Sequence, residues 1–546
     1  MDKLFVIAIG GTGMRCLEAF THLCAVGMLD NQEIEVLTLD TDQTNGNKAR
    51  TEQLIELYGR IKSYGGQVGG TPNANTFFSA KLNLHRFWTN YSGSGRETYR
   101  NISKLATGGE KEQEDNRLLS NLFLEKNTVQ EFNLAHGYRA QTHLGSHLMY
   151  HGIIEAARDL LDGRNVKTEQ RDLETFLNKL EKAGADARVF VFGSVFGGTG
   201  ASSIPVIPKA FQDFARIRSQ NKSNIDLSKT KFGATLLTEY FTFKKPDAKQ
   251  MATKENSVVA DASFFPLNSQ AALQFYQNDP TVKHSYKRLY HIGWPVESKP
   301  LDKDKKEDQT ITGGAEQKNP CHVTEMLCAC AAFDFFTRQD GFDMAEAEYV
   351  YKAVDFRDNS FHFQFADLVG QERKADSVFA NRLGAFYSLA HIVLSLNGGA
   401  RGDDGIGGFI TRLDKQKITD YNTITEQDKK EINEYFRAFG YSMPGEVFLP
   451  GWFYQVRSTV APGTFLFRND AFTANPKELK GIDVGEFMEG HEWPGGGLMS
   501  ASRYDNFVKK LVEVKPKPEQ NVNDTKEKLM AHIFNAITAS QGFELN

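Results

Sequence analysis

The sequence predicts an α/β protein built on a Rossmann-like parallel sheet, and three observations carry that expectation. Two glycine turns, Gly10-Gly11-Thr12-Gly13 and Gly197-Gly198-Thr199-Gly200, each stand between an apolar run and an amphipathic stretch. The run at residues 34–39 ends in Asp40-Thr41-Asp42, which completes a strand–helix–strand unit with the first turn. Such units build parallel sheets whose ligands sit at the carboxyl ends of the strands.

Taken in order, residues 4–9 read as a strand, 14–26 as a helix and 34–39 as the second strand. From residue 50 to 135 the periodicity weakens and glycines interrupt it, so an insertion on the ligand side is expected there. Ser146 is a candidate cap for a helix running to residue 161. A strand at 188–195 feeds the second glycine turn, and a helix follows over 204–217 with Pro205 in its first turn. A strand at 232–238, a helix at 269–276 and a strand at 289–293 come next. Residues 320–336 form a central helix that is apolar on every side, the mark of an internal element. Beyond it the pattern gives a hairpin, 349–356 with 361–365, a long helix over 377–396, and short strands at 445–453 and 463–467. Lys515-Pro516-Lys517-Pro518 reads as a linker, and Asp524 with Glu527 as a capping box for a last helix, in an exposed tail that is either an interaction arm or merely disordered. The expected organisation is a nucleotide-binding domain at 1–340, a second α+β domain at 341–510 and a C-terminal tail at 511–546.

A chain of 546 residues exceeds one ordinary core, so two domains or more are expected. With 64 basic against 69 acidic residues there is no field that would favour nucleic acid or an anionic membrane. No apolar stretch reaches the roughly 20 residues of a spanning helix, and Met1 leads straight into a strand, so a cytoplasmic protein without a transmembrane segment is expected. Cys16, Cys24, Cys321, Cys328 and Cys330 sit in apolar helical patterns, which suits buried thiols in a reducing compartment.

A glycine turn lets the backbone approach phosphate oxygens, and the helix that follows supplies amide donors and partial positive charge. The first turn with Asp40 also suits a dinucleotide, although Cys16 stands where a third glycine would complete GxGxxG. The second turn is what a nucleoside triphosphate gripped from both sides requires. No GxxxxGK[ST] occurs, so backbone amides and the hydroxyls of Thr12, Thr199, Ser202 and Ser203 are the candidate phosphate ligands. Helix capping and strand-end turns are the bland readings of the same residues.

These residues resemble the tubulin and FtsZ GTPase superfamily. Phe196-Gly197-Gly198-Thr199-Gly200-Ala201-Ser202 is similar to its GGGTG[ST]G signature, with Phe for the first glycine and Ser for the last, and Pro205 stands where FtsZ-type sequences have a proline. Asp40-Thr41-Asp42 resembles the Asn-Thr-Asp after the second strand, and His143-Leu144-Gly145-Ser146 falls where the family has its γ-phosphate-sensing loop. The resemblance covers about residues 1–336. It implies that Gly10, Gly11, Thr12 and Gly13 hold the α- and β-phosphates, and that Gly197, Gly198, Thr199, Gly200, Ala201 and Ser202 clasp the β- and γ-phosphates. Gly145 and Ser146 would meet the γ-phosphate, Asp40 and Asp42 the ribose or the metal, and Asn319 or Glu325 the base. Glu325 is equally suited to pairing with a nearby Lys or Arg. The hydrolytic acid, given to the neighbouring subunit, would be Asp367 in Phe365-Ala366-Asp367-Leu368, with Glu325 as substitute.

The resemblance implies a GTP/GDP-binding, GTP-hydrolysing protein that assembles head to tail, with Mg2+ held mainly by phosphates and water. Two alternatives stay open: a non-polymerising nucleotide-dependent regulatory or scaffold protein that binds a partner through its C-terminal half or tail, and an NAD-dependent oxidoreductase.

Overall fold

The computed structural model describes residues 3–42, 44–63, 69–88, 118, 138, 142–163, 166–219, 227–241, 262–294, 315, 317, 319–351, 355–357, 360–362, 382–383, 385–386, 389–390, 405–439, 451–458 and 503–541. Among these residues seven parallel strands form one sheet: β1 (Lys3–Ile9), β2 (Glu33–Asp40), β3 (Lys81–Trp88), β4 (Ala187–Phe192), β5 (Lys231–Leu237), β6 (Tyr286–Ile292) and β7 (Glu348–Tyr351), in the order β3-β2-β1-β4-β5-β6-β7. β1 and β4 are buried along almost their whole length, which is why Leu4 to Ile9 are apolar without alternation.

Helices cover both faces. On one lie α1 (Gly10–Ala25), α2 (Gly46–Ile61) and the central α9 (Val323–Thr337). On the other lie α3 (Thr142–Asp162), α4 (Thr168–Ala183), α6 (Ile207–Arg218), α7 (Phe265–Asn278) and the short α8 (Pro280–Ser285). The one-and-a-half-turn α5 (Thr199–Ser203) follows the second glycine turn. α9 is buried all round and stacks Phe333 on Phe20 of α1, with ring centroids 5.2 Å apart.

The second half of the chain adds the antiparallel hairpin β8 (Asp355–Arg357) and β9 (Ser360–His362), then α10 (Ile406–Lys415), α11 (Glu426–Phe439), α12 (Trp452–Ser458), α13 (Arg503–Glu513) and α14 (Thr525–Gln541). These helices join the same apolar core as α1 and α9. His22 of α1 shows the contact: its ring lies 4.9 Å from Trp452, its Nδ1 is 3.1 Å from the Tyr435 hydroxyl, and burial pushes its pKa down to about 3.

Four expectations need correction. Most of α2 and all of β3 lie within the stretch read as an insertion, yet β3 pairs with β2 from Glu33↔Lys81 to Asp40↔Trp88 and is integral to the sheet. Residues 348–351 are not part of the hairpin; they pair in parallel with β6, and only 355–362 folds back on itself. Residues 452–453 open a helix, not the end of a strand. The tail is no exposed arm: Leu529, Met530, Ile533 and Phe534 are buried, and Glu527 meets the buried Lys62 at 3.3 Å. Most of 89–135, the run 463–467, and most of 377–396 lie outside the described residues.

Because α14 fills core and not solvent, Leu529→Ala should cost about 3 kcal/mol of unfolding free energy in urea titration. A change below ~0.5 kcal/mol, the range of surface substitutions, would mean that α14 is dispensable.

Candidate functional site

The strand order reverses direction between β1 and β4, and both glycine turns leave the sheet at this switch point. Gly10 takes φ +68°, open to glycine at no steric cost, and starts α1 directly from the end of β1. A methyl group placed on it would stand 3.1 Å from the Thr199 Cβ and 3.6 Å from the Gly200 nitrogen. The two turns therefore touch, although nearly two hundred residues separate them. On Gly13 a methyl would lie 2.6 Å from the Phe192 carbonyl oxygen, and on Gly200 2.8 Å from the Ser194 nitrogen and oxygen. Glycine at these two positions seats α1 and α5 hard against the end of β4.

α3 closes the third side. Gly145 abuts Ser202, whose Oγ would be 2.6 Å from an added methyl. Ser146 Oγ donates to the Ser202 carbonyl at 2.7 Å, and Ser202 Oγ donates to the Thr199 carbonyl at 3.0 Å. So the structure brings together Gly10, Gly145, Ser146, Thr199, Gly200 and Ser202. Gly11, Thr12, Gly197, Gly198 and Thr199 are half-buried. Neither α1 nor α5 has a side-chain N-cap or an acid in its first turn, which leaves first-turn amides for an anion.

Beside this cradle, at the end of β2, Asp40 is buried and its Oδ1 accepts from the amides of Thr41, at 2.8 Å, and Asp42, at 3.2 Å. Its Oδ2 accepts from Asn45 Nδ2 at 3.2 Å. Burial and the Asp42 charge raise its pKa to about 7, against the pull of those two amides and Lys48. Asp42 Oδ1 accepts from the Thr44 amide, at 3.0 Å, and hydroxyl, at 2.8 Å.

The raised acid gives a pH prediction. Between pH 4 and 7 the unfolded chain has ionised this carboxyl and the folded chain resists, so stability falls as pH rises through that window. Three pKa units correspond to about 4 kcal/mol. Asp42→Asn keeps an acceptor for Thr44 and removes the like charge, so it should flatten the slope. Urea titrations from pH 4.5 to 8 that give parallel slopes for both proteins would rule this out.

Sequence reasoning missed the segment that flanks Gly11. Asn45 caps α2 by accepting from the amides of Asn47 and Lys48 at 2.9 and 3.2 Å. Gly46 lets Ala315 and Gln317 come close, a methyl there lying 2.9 Å from the Gln317 carbonyl oxygen. A methyl on Gly11 would meet Gln317 Oε1 at 2.9 Å and Asn45 Nδ2 at 3.1 Å. Among the described residues, Gln317 Oε1 and Asn47 Nδ2 are buried without hydrogen-bond partners, one acceptor and one donor. The signal was present as Asn45-Gly46-Asn47 right after Asp40-Thr41-Asp42.

Asn319 is buried; its amide donates to Asn47 Oδ1 at 3.2 Å and its carbonyl accepts from Arg50 Nη1 at 3.2 Å. Glu325 is fully buried below the cradle, ion-paired with Arg15, and accepts from the Tyr240 hydroxyl at 2.7 Å and the His322 amide at 2.9 Å. Burial raises its pKa against those three partners. This carboxylate caps α9 and neutralises Arg15, so neither base reading nor hydrolysis in a neighbouring subunit suits it. Asp367 lies outside the described residues. All five cysteines are buried and unpaired by disulfides. Among the described residues no helix is long and apolar enough to cross a membrane.

No protein-family model matches the chain, and no curated protein matches it.

Proposed function

We propose that the chain binds a nucleoside triphosphate, GTP by its resemblance to tubulin and FtsZ, and hydrolyses it on assembling head to tail. The observation that supports this is the contact of the two glycine turns at the sheet's switch point, Gly10 against Thr199. A dinucleotide fold needs only the first turn; a second one at the same place, with α3 packed on it, adds amide donors for a further phosphate. Mg2+ would be held by phosphates and water, because both oxygens of Asp40 already accept hydrogen bonds.

Parallel binding of labelled GTP, ATP and NAD tests the ligand class. GTP bound far more tightly than NAD is expected; saturable NAD binding without GTP binding would sink the proposal. Specific turnover that rises with protein concentration, together with pelleting in GTP but not GDP, is expected for a shared active site. A second reading, a nucleotide-dependent regulator that does not polymerise, is favoured by the sequestration of Glu325. It expects concentration-independent turnover or none.

A further inference from the structure

Away from the cradle, the flank of the sheet formed by α7 and β7 is unusually apolar on its outside. Phe275 of α7 is exposed, with Met344, Tyr349 and Tyr351 on and before β7. Exposed large apolar side chains usually scatter singly; gathered on one flank they mark a contact surface. Between α7 and β7 runs a groove of about 540 Å3 with an apolar floor that includes Leu273 and Leu289. Tyr349 and Tyr351 wall one side, and Tyr351 stands 69% exposed with its ring stacked 6.0 Å from His291.

Two charges line this groove, Lys283 from α8 and Glu346 from the approach to β7. Neither forms an ion pair with a described residue, whereas the neighbouring Glu348 is paired with Arg288 at 2.6 Å. β7 is also the end strand of the sheet among the described residues. β7 is short and opens on a charge, Glu348, but its Tyr-Val-Tyr run has high β-propensity.

We propose that this flank is an isologous interface with a second copy of this chain. A two-fold axis beside β7 brings each Lys283 to the other copy's Glu346, so one lysine and one glutamate suffice for two ion pairs, and it runs the two edge strands antiparallel. Two-fold closure stops the assembly at two copies and needs no nucleotide. The groove's opposite charges on its two walls select a self-complementary occupant over a uniformly charged partner.

Sedimentation equilibrium of the full chain, without nucleotide and with GDP, tests this separately from GTP-dependent pelleting. A dimer is expected in both. Lys283→Glu and Glu346→Lys should each weaken it by roughly tenfold or more, because each turns two attractions into two repulsions. The double variant Lys283→Glu/Glu346→Lys should restore the affinity to within about threefold. Glu346 is exposed and Lys283 half-buried, and thermal melts establish that the variants fold. A monomer at the highest soluble concentration overturns the proposal. So does a dimer indifferent to both single reversals, or a double variant weaker than either single one.

Discussion

Gly11→Ala is expected to fold as the parent does and to lose GTP affinity by about a hundredfold. Gly11 lies in the first turn of α1, where alanine is the better helix former. The added methyl would meet Gln317 Oε1, at 2.9 Å, the end of a side chain that can give way, and Asn45 Nδ2, at 3.1 Å, which needs to yield by only a few tenths of an ångström. It would nonetheless stand where a phosphate must approach the amides. Losing two charge-assisted hydrogen bonds of about 1.5 kcal/mol each gives roughly that factor. Calorimetric titration with GTP and a thermal melt separate the two effects. Gly13→Ala is the contrasting control: its methyl would lie 2.6 Å from a backbone carbonyl oxygen, so it should destabilise the fold itself. Unchanged GTP affinity in a folded Gly11→Ala protein would remove the first turn from the binding site.

The elements legible in the sequence were those with local signatures. β1, β2, β4, β5 and β6 are runs buried on both faces, and α9 is apolar all round, so composition alone marks them. The glycine turns were visible because only glycine tolerates the approach of Gly13 to Phe192 or of Gly200 to Ser194. That they meet was an expectation from the pairing of two such turns and from the resemblance, since contact between residues 10 and 199 has no local trace. β7 was assigned to a hairpin because the turn at 357–360 is a strong local signal, while parallel pairing with β6 depends on a partner some sixty residues back, His291↔Tyr351. The tail misled through its proline-rich linker, although Leu529, Met530, Ile533 and Phe534 carry a helical stripe that needs a core to cover it. Glu325 announced a partner by being acidic in an apolar helix, but nothing nearby in sequence pointed to Arg15.

That pair yields the largest stability effect expected here. Arg15 is 4% exposed, donates Nη2 to the Pro320 carbonyl at 2.5 Å, and lies over the Tyr240 ring at 5.6 Å. Through it α1, which carries the first glycine turn, is tied to α9, on which the C-terminal helices pack. Arg15→Met removes the cation and leaves Glu325 buried with only neutral donors, the situation that costs about 3–5 kcal/mol when one member of a buried ion pair is deleted. The same change should steepen the pH dependence. Glu325 already titrates above its ordinary range because it is buried, and without Arg15 it moves higher still. Stability is then full below the unfolded glutamate's pKa of about 4.3 and is lost progressively as pH rises towards the folded value. The double variant Arg15→Met/Glu325→Gln keeps an acceptor for Tyr240 and the His322 amide without a charge, so it should recover most of the loss and flatten the slope. Urea titrations of the three proteins at pH 5 and pH 8 give both quantities. A single variant within ~1 kcal/mol of the parent at pH 8, or a double variant as unstable as the single, would show that the pair does not join α1 to α9 in the way its geometry requires.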